Sequence, residues 1–159
     1  MAQQNIQHHV THITQLDTNY CWACSLAMVL GRHSWNAALE IADRCVHAPR
    51  NADGALLPTG VPAAAGALGL RCTPVVSFTP AMLASSMRHS AVAVFGFYRE
   101  GGEKINHAMV ISMLRGDDRN PASVQLGVDD PWAAGTRWTG PFTAFYGPTL
   151  VRADYLVGR

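Results

Sequence analysis

The pattern of apolar and polar positions changes character near residue 69. Before it, apolar residues recur at helical spacing. In TNYCWACSLAMVLG, Ala23, Leu26, Ala27 and Leu30 fall three and four apart, which predicts a helix over about 20–30 with those residues on one face. Asp17, Thr18 and Asn19 are candidate N-caps for it, and Gly31 its terminator. Residues 35–46 predict a second helix and 61–68 a short third one. Between them, APRNADGALLPTGVP (48–62) carries the Gly, Pro and Asn of a loop. Past Gly69 the period shortens to that of strands: RCTPVVSF (71–78), SAVAVFGFYRE (90–100), INHAMVISML (105–114), ASVQLGVD (122–129) and TLVRADYLV (149–157), with a short helix at 80–89. Helices first and antiparallel strands second predict an α+β fold rather than an alternating wound one. No repeat or low-complexity linker interrupts the chain, so residues 1–159 read as a single domain.

Composition agrees with that reading and excludes several function classes. A chain of 159 residues with 48% hydrophobic content can bury one core. Twelve basic and eleven acidic residues leave a formal charge of +1, without a run of like charge to track a phosphate backbone, so no nucleic-acid partner is expected. The opening MAQQNIQHHVTHITQ lacks the basic-then-apolar pattern of a secretory signal. The longest apolar runs, such as AVAVFGFY (91–98), fall short of the ~20 residues that span a bilayer. The expectation is a soluble protein, cytoplasmic on synthesis, with no membrane partner; any export would use a route independent of a signal peptide. Cys21, Cys24, Cys45 and Cys72 are too sparse for a disulfide scaffold and are expected as free thiols.

The stretch QLDTNYCWAC (15–24) concentrates the chemistry and admits three readings: redox pair, half a zinc site, or nucleophile with an oxyanion donor. A structural zinc site wants a second knuckle, and Cys45 and Cys72 stand too far apart to make one, so no metal is expected. A thioredoxin-like pair wants a strand before the C-x-x-C, where this chain has a polar turn. A nucleophile gains from the positive end of a helix dipole, and Cys21 sits in the first turn of the expected helix. It also needs a histidine and an orienting carboxylate or amide from elsewhere in the chain. His107 opens an apolar strand in which Ile105, His107, Met109 and Ile111 share a face; standing alone, such a histidine is an ordinary core residue. Asp130, in Asp129-Asp130-Pro131-Trp132, is held extended by the proline that follows; standing alone, it is an ordinary strand-to-loop turn.

Taken in order, Gln15, Cys21-Trp22, His107 and Asp130-Pro131-Trp132 resemble the papain-like cysteine peptidases. The Asp-Pro form of the third element, in a short chain, is most similar to bacteriocin-leader-processing peptidases and small bacterial effector proteases of that fold. The resemblance implies a nucleophile helix in an N-terminal helical part packed on a C-terminal antiparallel sheet. It implies Cys21 as nucleophile, His107 as its base, Asp130 as the orienting group, and the Gln15 side chain with the Cys21 N–H as oxyanion donors. Trp132 would shield the His–Asp pair. The glycine-rich run that usually precedes the papain cysteine is replaced here by Thr18-Asn19-Tyr20. Peptide-bond hydrolysis through a thioester is implied, with no cofactor, a polypeptide substrate, and a cognate immunity or inhibitor protein for a secreted effector or toxin. The same residues serve an acyltransferase, transglutaminase or deamidase, and a leader-processing peptidase is a further alternative. Asp129 replaces Asp130 if the strand register differs by one.

The remaining candidates have plain readings. His8, His9 and His12 read as a polar, frayed N-terminal arm rather than a metal site. Cys24 reads as core packing, Cys45 and Cys72 as small buried hydrophobes. Trp35 and Trp138 read as core or cleft wall. Asp129 is expected to matter little, since adjacent residues on an extended segment point to opposite sides.

Overall fold

The absence of any charged residue in CWACSLAMV makes the first helix apolar on every side, and α1 (Cys21–Val29) is buried from Trp22 to Val29 rather than along one face. The computed structural model describes residues 3–132, 137–147 and 150–159. The residue capping α1 is Tyr20, not Asp17, Thr18 or Asn19, and its side chain makes no cap. Asp17 closes the turn before the helix instead, its Oδ1 accepting the Asn19 N–H at 2.9 Å and its carbonyl the Tyr20 N–H at 3.1 Å. Gly31, at φ 73°, ends the helix as expected.

Two amphipathic helices flank α1 or lie near it. In α2 (Trp35–Arg44), Ser34 Oγ accepts the Ala37 N–H and Ala38 and Ile41 face inward. A 3-10 turn, Pro58–Gly60, leads into α3 (Val61–Ala67). The later α4 (Pro80–Ser86) is capped by Thr79. Each ends one to three residues before the sequence expectation, where the chain turns to pack rather than continue the period.

The strands form one antiparallel sheet in the order β2-β7-β3-β4-β5-β6, with β1 also paired to β4. These are β1 (Gln3–Gln7), β2 (Arg71–Pro74), β3 (Val92–Glu100), β4 (Glu103–Asp117), β5 (Gln125–Asp129), β6 (Arg137–Pro141) and β7 (Arg152–Gly158). Glu100 pairs with Glu103 across a two-residue hairpin whose Gly101 and Gly102 both take positive φ, as a tight turn matching strand twist requires. Four differences from expectation stand out. The N-terminal arm is not frayed: QQNIQ pairs with residues 113–117 of β4. The strand expected over 71–78 stops at Pro74, and Val76 beyond it is 98% exposed. The strand β6 and the short helix α5 (Phe142–Phe145) were not anticipated. The strand expected from 149 begins at Arg152, and Thr149 itself lies outside the described residues.

Both faces of the sheet are covered. Ala93, Phe95, Ala108 and Val110 pack with Trp22, Leu26 and Ile41 of the helices; Val92, Val94, Met109 and Ile111 pack with Leu83, Phe142 and Phe145. This two-sided burial explains why AVAVFGF reads as a continuous apolar run. Among the described residues, no helix is long and apolar enough to cross a membrane.

Candidate active site

Three side chains from three parts of the chain converge where α1 begins. Cys21 is the first residue of α1, and the missing side-chain cap leaves the N–H groups of that turn directed at its surroundings. His107 enters from β4, and Asp130 is the first residue beyond β5. His107 is buried, and its Nε2 lies 2.8 Å from Asp130 Oδ1. A carboxylate only accepts, so Nε2 donates; in the neutral ring Nδ1 is then the basic nitrogen, free to take a thiol proton. Burial alone would lower the His107 pKa. Burial is the largest single influence, but the hydrogen bonds to Asp130 and Cys21 and the charges of both together outweigh it, so the value is pushed up from 6.5 to about 10.

Asp130 is itself held by its own loop. Its Oδ1 also accepts the Trp132 N–H at 2.9 Å, a local turn that aims the carboxylate back at the strand. The indole of Trp132 meets the imidazole edge to face, with centroids 6.3 Å apart at 85°. Tyr98 on β3 makes a similar contact at 5.8 Å and 84°.

Gln15 is buried, 6% exposed, and its N–H donates to the Pro131 carbonyl at 2.8 Å, which ties its segment to the loop carrying Asp130. Among the described residues, neither its side-chain Nε2 nor Oε1 has a hydrogen-bond partner. A buried amide without a protein partner is costly, so it calls for a water or a ligand to satisfy it.

Asp129 belongs to a separate network. Arg137 Nε donates to its Oδ1 at 2.6 Å and Ser112 Oγ to its Oδ2 at 3.0 Å, while His12 Nδ1 lies 3.3 Å away. It therefore pairs with an arginine and not with His107. His8 reaches the Met87 carbonyl at 2.6 Å. No set of three metal-ligating side chains occurs among the described residues.

The cleft beside Cys21 and His107 has a volume of about 360 Å³, with Leu56, Leu57, Pro58 and Val61 on one wall and Phe95 and Ala108 on the other. The first wall is pinned to α1 by the aromatic residue that follows the cysteine. Trp22 Nε1 donates to the Gly54 carbonyl at 3.2 Å, and the Arg50 guanidinium lies 4.8 Å from the Trp22 ring. Tyr20 stacks on Trp22 and meets Trp35 at an edge, while Trp138 packs beside Phe145 in the other core, so neither Trp35 nor Trp138 lines the cleft. Arg50, Gly54 and Tyr98 carry no motif, and only the register of the fold shows what they touch. All four cysteines are free; Cys24 is buried, and burial together with the nearby Cys21 pushes its thiol up to about 12. Cys72 is half-buried rather than core.

The family model for the papain-like cysteine protease AvrRpt2 matches residues 2–146. The chain belongs to that family. It is thus a papain-like cysteine protease, a hydrolase, as the order of Gln15, Cys21, His107 and Asp130 implied. No curated protein matches it. Among solved structures, the peptidase domain of Streptococcus ComA, a bi-functional ABC transporter involved in a quorum sensing pathway, is similar with a TM-score of 0.61 at 15% sequence identity, over 94% of this chain and 96% of that one. The papain-like protease family and this likeness agree on an α+β peptidase fold with the helix that carries Cys21 set against an antiparallel sheet.

Proposed function

We propose that the protein cleaves peptide bonds in a polypeptide substrate, with Cys21 as nucleophile, His107 as base and acid, Asp130 as orienting carboxylate, and the Gln15 amide with the Cys21 N–H as oxyanion donors. The observation that carries this reading is that one imidazole joins Cys21 and Asp130, with Cys21 and His107 both lining the cleft. With the Cys21 proton already resting on His107, the thiolate attacks the scissile carbonyl carbon. The tetrahedral oxyanion is stabilised by the two donors, and its collapse expels the amine, which receives the proton from His107. Water, deprotonated by the same imidazole, then hydrolyses the thioester and releases the acid. Asp130 holds the ring in the tautomer that this cycle needs. Each oxyanion donor is worth roughly 10²–10³ in rate.

Family membership supports a secreted effector or toxin as the cellular setting, with a cognate immunity or inhibitor protein as its proposed partner. Incubating the enzyme with a peptide library and reading new N-termini by mass spectrometry, with ammonia measured in parallel, tests the chemistry. Cleaved ends that vanish in Cys21→Ala are expected. Ammonia or amine-exchanged product without cleaved ends would replace hydrolysis by deamidation or transfer.

A further inference from the structure

We propose that Tyr98 is a positioning residue for His107, its ring forming the wall on the β3 side that holds the imidazole in plane with Cys21 and Asp130. The inference rests on the reading of His107 as the base of Cys21. Tyr98 stands opposite Ile105 in the β3–β4 register, and Ile105 and His107 are two apart on one strand. Tyr98 is therefore the diagonal cross-strand neighbour of His107, within reach of an aromatic side chain. Its ring meets the imidazole at 5.8 Å and 84°, and Trp132, from the loop after β5, does so at 6.3 Å and 85°.

The hydrogen bonds to Asp130 and Cys21 fix a direction across the ring but do not by themselves stop it turning about that direction. Two near-perpendicular rings remove that freedom, because any pivot drives the imidazole into one of them. The charged or titratable groups facing His107 are Asp130 from the end of β5 and Cys21 from α1, and on the β3 side the phenol itself, with Glu100 near it. Burial, with Glu100, Asp130 and Cys21 adding to it, pushes the Tyr98 phenol up, so it stays a neutral wall and not a second base. Tyr98 lies outside the lining of the cleft, which separates its role from substrate contact.

The test compares Tyr98→Phe with Tyr98→Leu and Tyr98→Thr, all compatible with a strand. Folding is checked by melting, and kcat, KM and the NMR titration of the His107 ring are measured. The Leu and Thr variants should lower kcat roughly two- to tenfold with KM unchanged, the range an aromatic contact is worth, and bring the titration midpoint down by about half to one pH unit. The Phe variant should restore both. The proposal is overturned if the Leu and Thr variants fold and leave kcat and the midpoint in place, if their loss falls on KM, or if Phe fails as they do, which would assign the effect to the hydroxyl. The NMR titration needs no substrate, so it decides the role of Tyr98 even if the protein proves not to hydrolyse peptides.

Discussion

Gln15 and the two adjacent aspartates divide the local chemistry most sharply. Among the described residues the buried Gln15 amide has no hydrogen-bond partner, while its backbone is anchored to Pro131. Gln15→Ala should thus leave the fold intact and lower kcat by roughly two orders of magnitude, because the donor acts on charge that develops only in the transition state. An unchanged kcat would remove it from the site. Asp130→Asn should keep substantial activity, since an amide oxygen still accepts the Nε2 proton, whereas Asp130→Ala should lose roughly 10²-fold or more as the ring turns free. Asp129→Ala should act in the opposite sense: kcat largely kept, but stability lower by about 1–3 kcal/mol as the bonds from Arg137 and Ser112 disappear. Melting curves and steady-state kinetics on the same samples separate the two. A kinetic collapse in Asp129→Ala with normal melting would reverse the assignment.

At the scale of elements, the helix carrying Cys21 and the wall opposite the sheet behave as one unit. Trp22 joins them, through Gly54 and Arg50. Trp22→Phe keeps an apolar ring and removes the indole N–H, so the loss in kcat/KM should fall on KM, by roughly fivefold for one neutral hydrogen bond. A loss confined to kcat would mean that the wall does not depend on this pin. The elements also show which signals a sequence carries. The helix around Cys21 and the strands around Phe95 and Val110 were legible because burial leaves dense apolar runs. QQNIQ was not, because a strand at the rim of a sheet needs backbone partners more than apolar side chains, and Ile6 is its one apolar residue. The α1 cap differs from the expectation: Tyr20 holds the position without a side-chain cap, whereas an Asp17 or Thr18 cap would satisfy N–H groups of the first turn. The resemblance named Cys21, His107 and Asp130 in chain order. Tyr98 and Arg137 carry no signal in the sequence, since a diagonal neighbour and an arginine reaching a buried aspartate are defined by register alone.

Across the molecule, the proton on His107 couples the site to pH and to folding. Its pKa is raised in the folded state, from 6.5 to about 10, so the protonated ring is the favoured form through neutrality. The stability this contributes is fully present below 6.5 and is lost as pH rises through about 10. Activity that needs the imidazolium should hold across neutral pH and fall on an alkaline limb near pH 10. In Asp130→Asn that limb should move to lower pH, because the carboxylate charge that favours the ring's proton is gone. A limb unmoved by Asp130→Asn would separate the titration from this pair. The central claim, that a single thiol at the start of α1 carries the acyl group between peptide and water, is most directly tested by acid-quenching the enzyme during turnover of a cleaved peptide and mapping the adduct by mass spectrometry. A thioester on Cys21, absent in Cys21→Ala and retained in Cys24→Ala, is the expected result; product formed with no acyl adduct on Cys21, or with the adduct on Cys24 or Cys72, would contradict it.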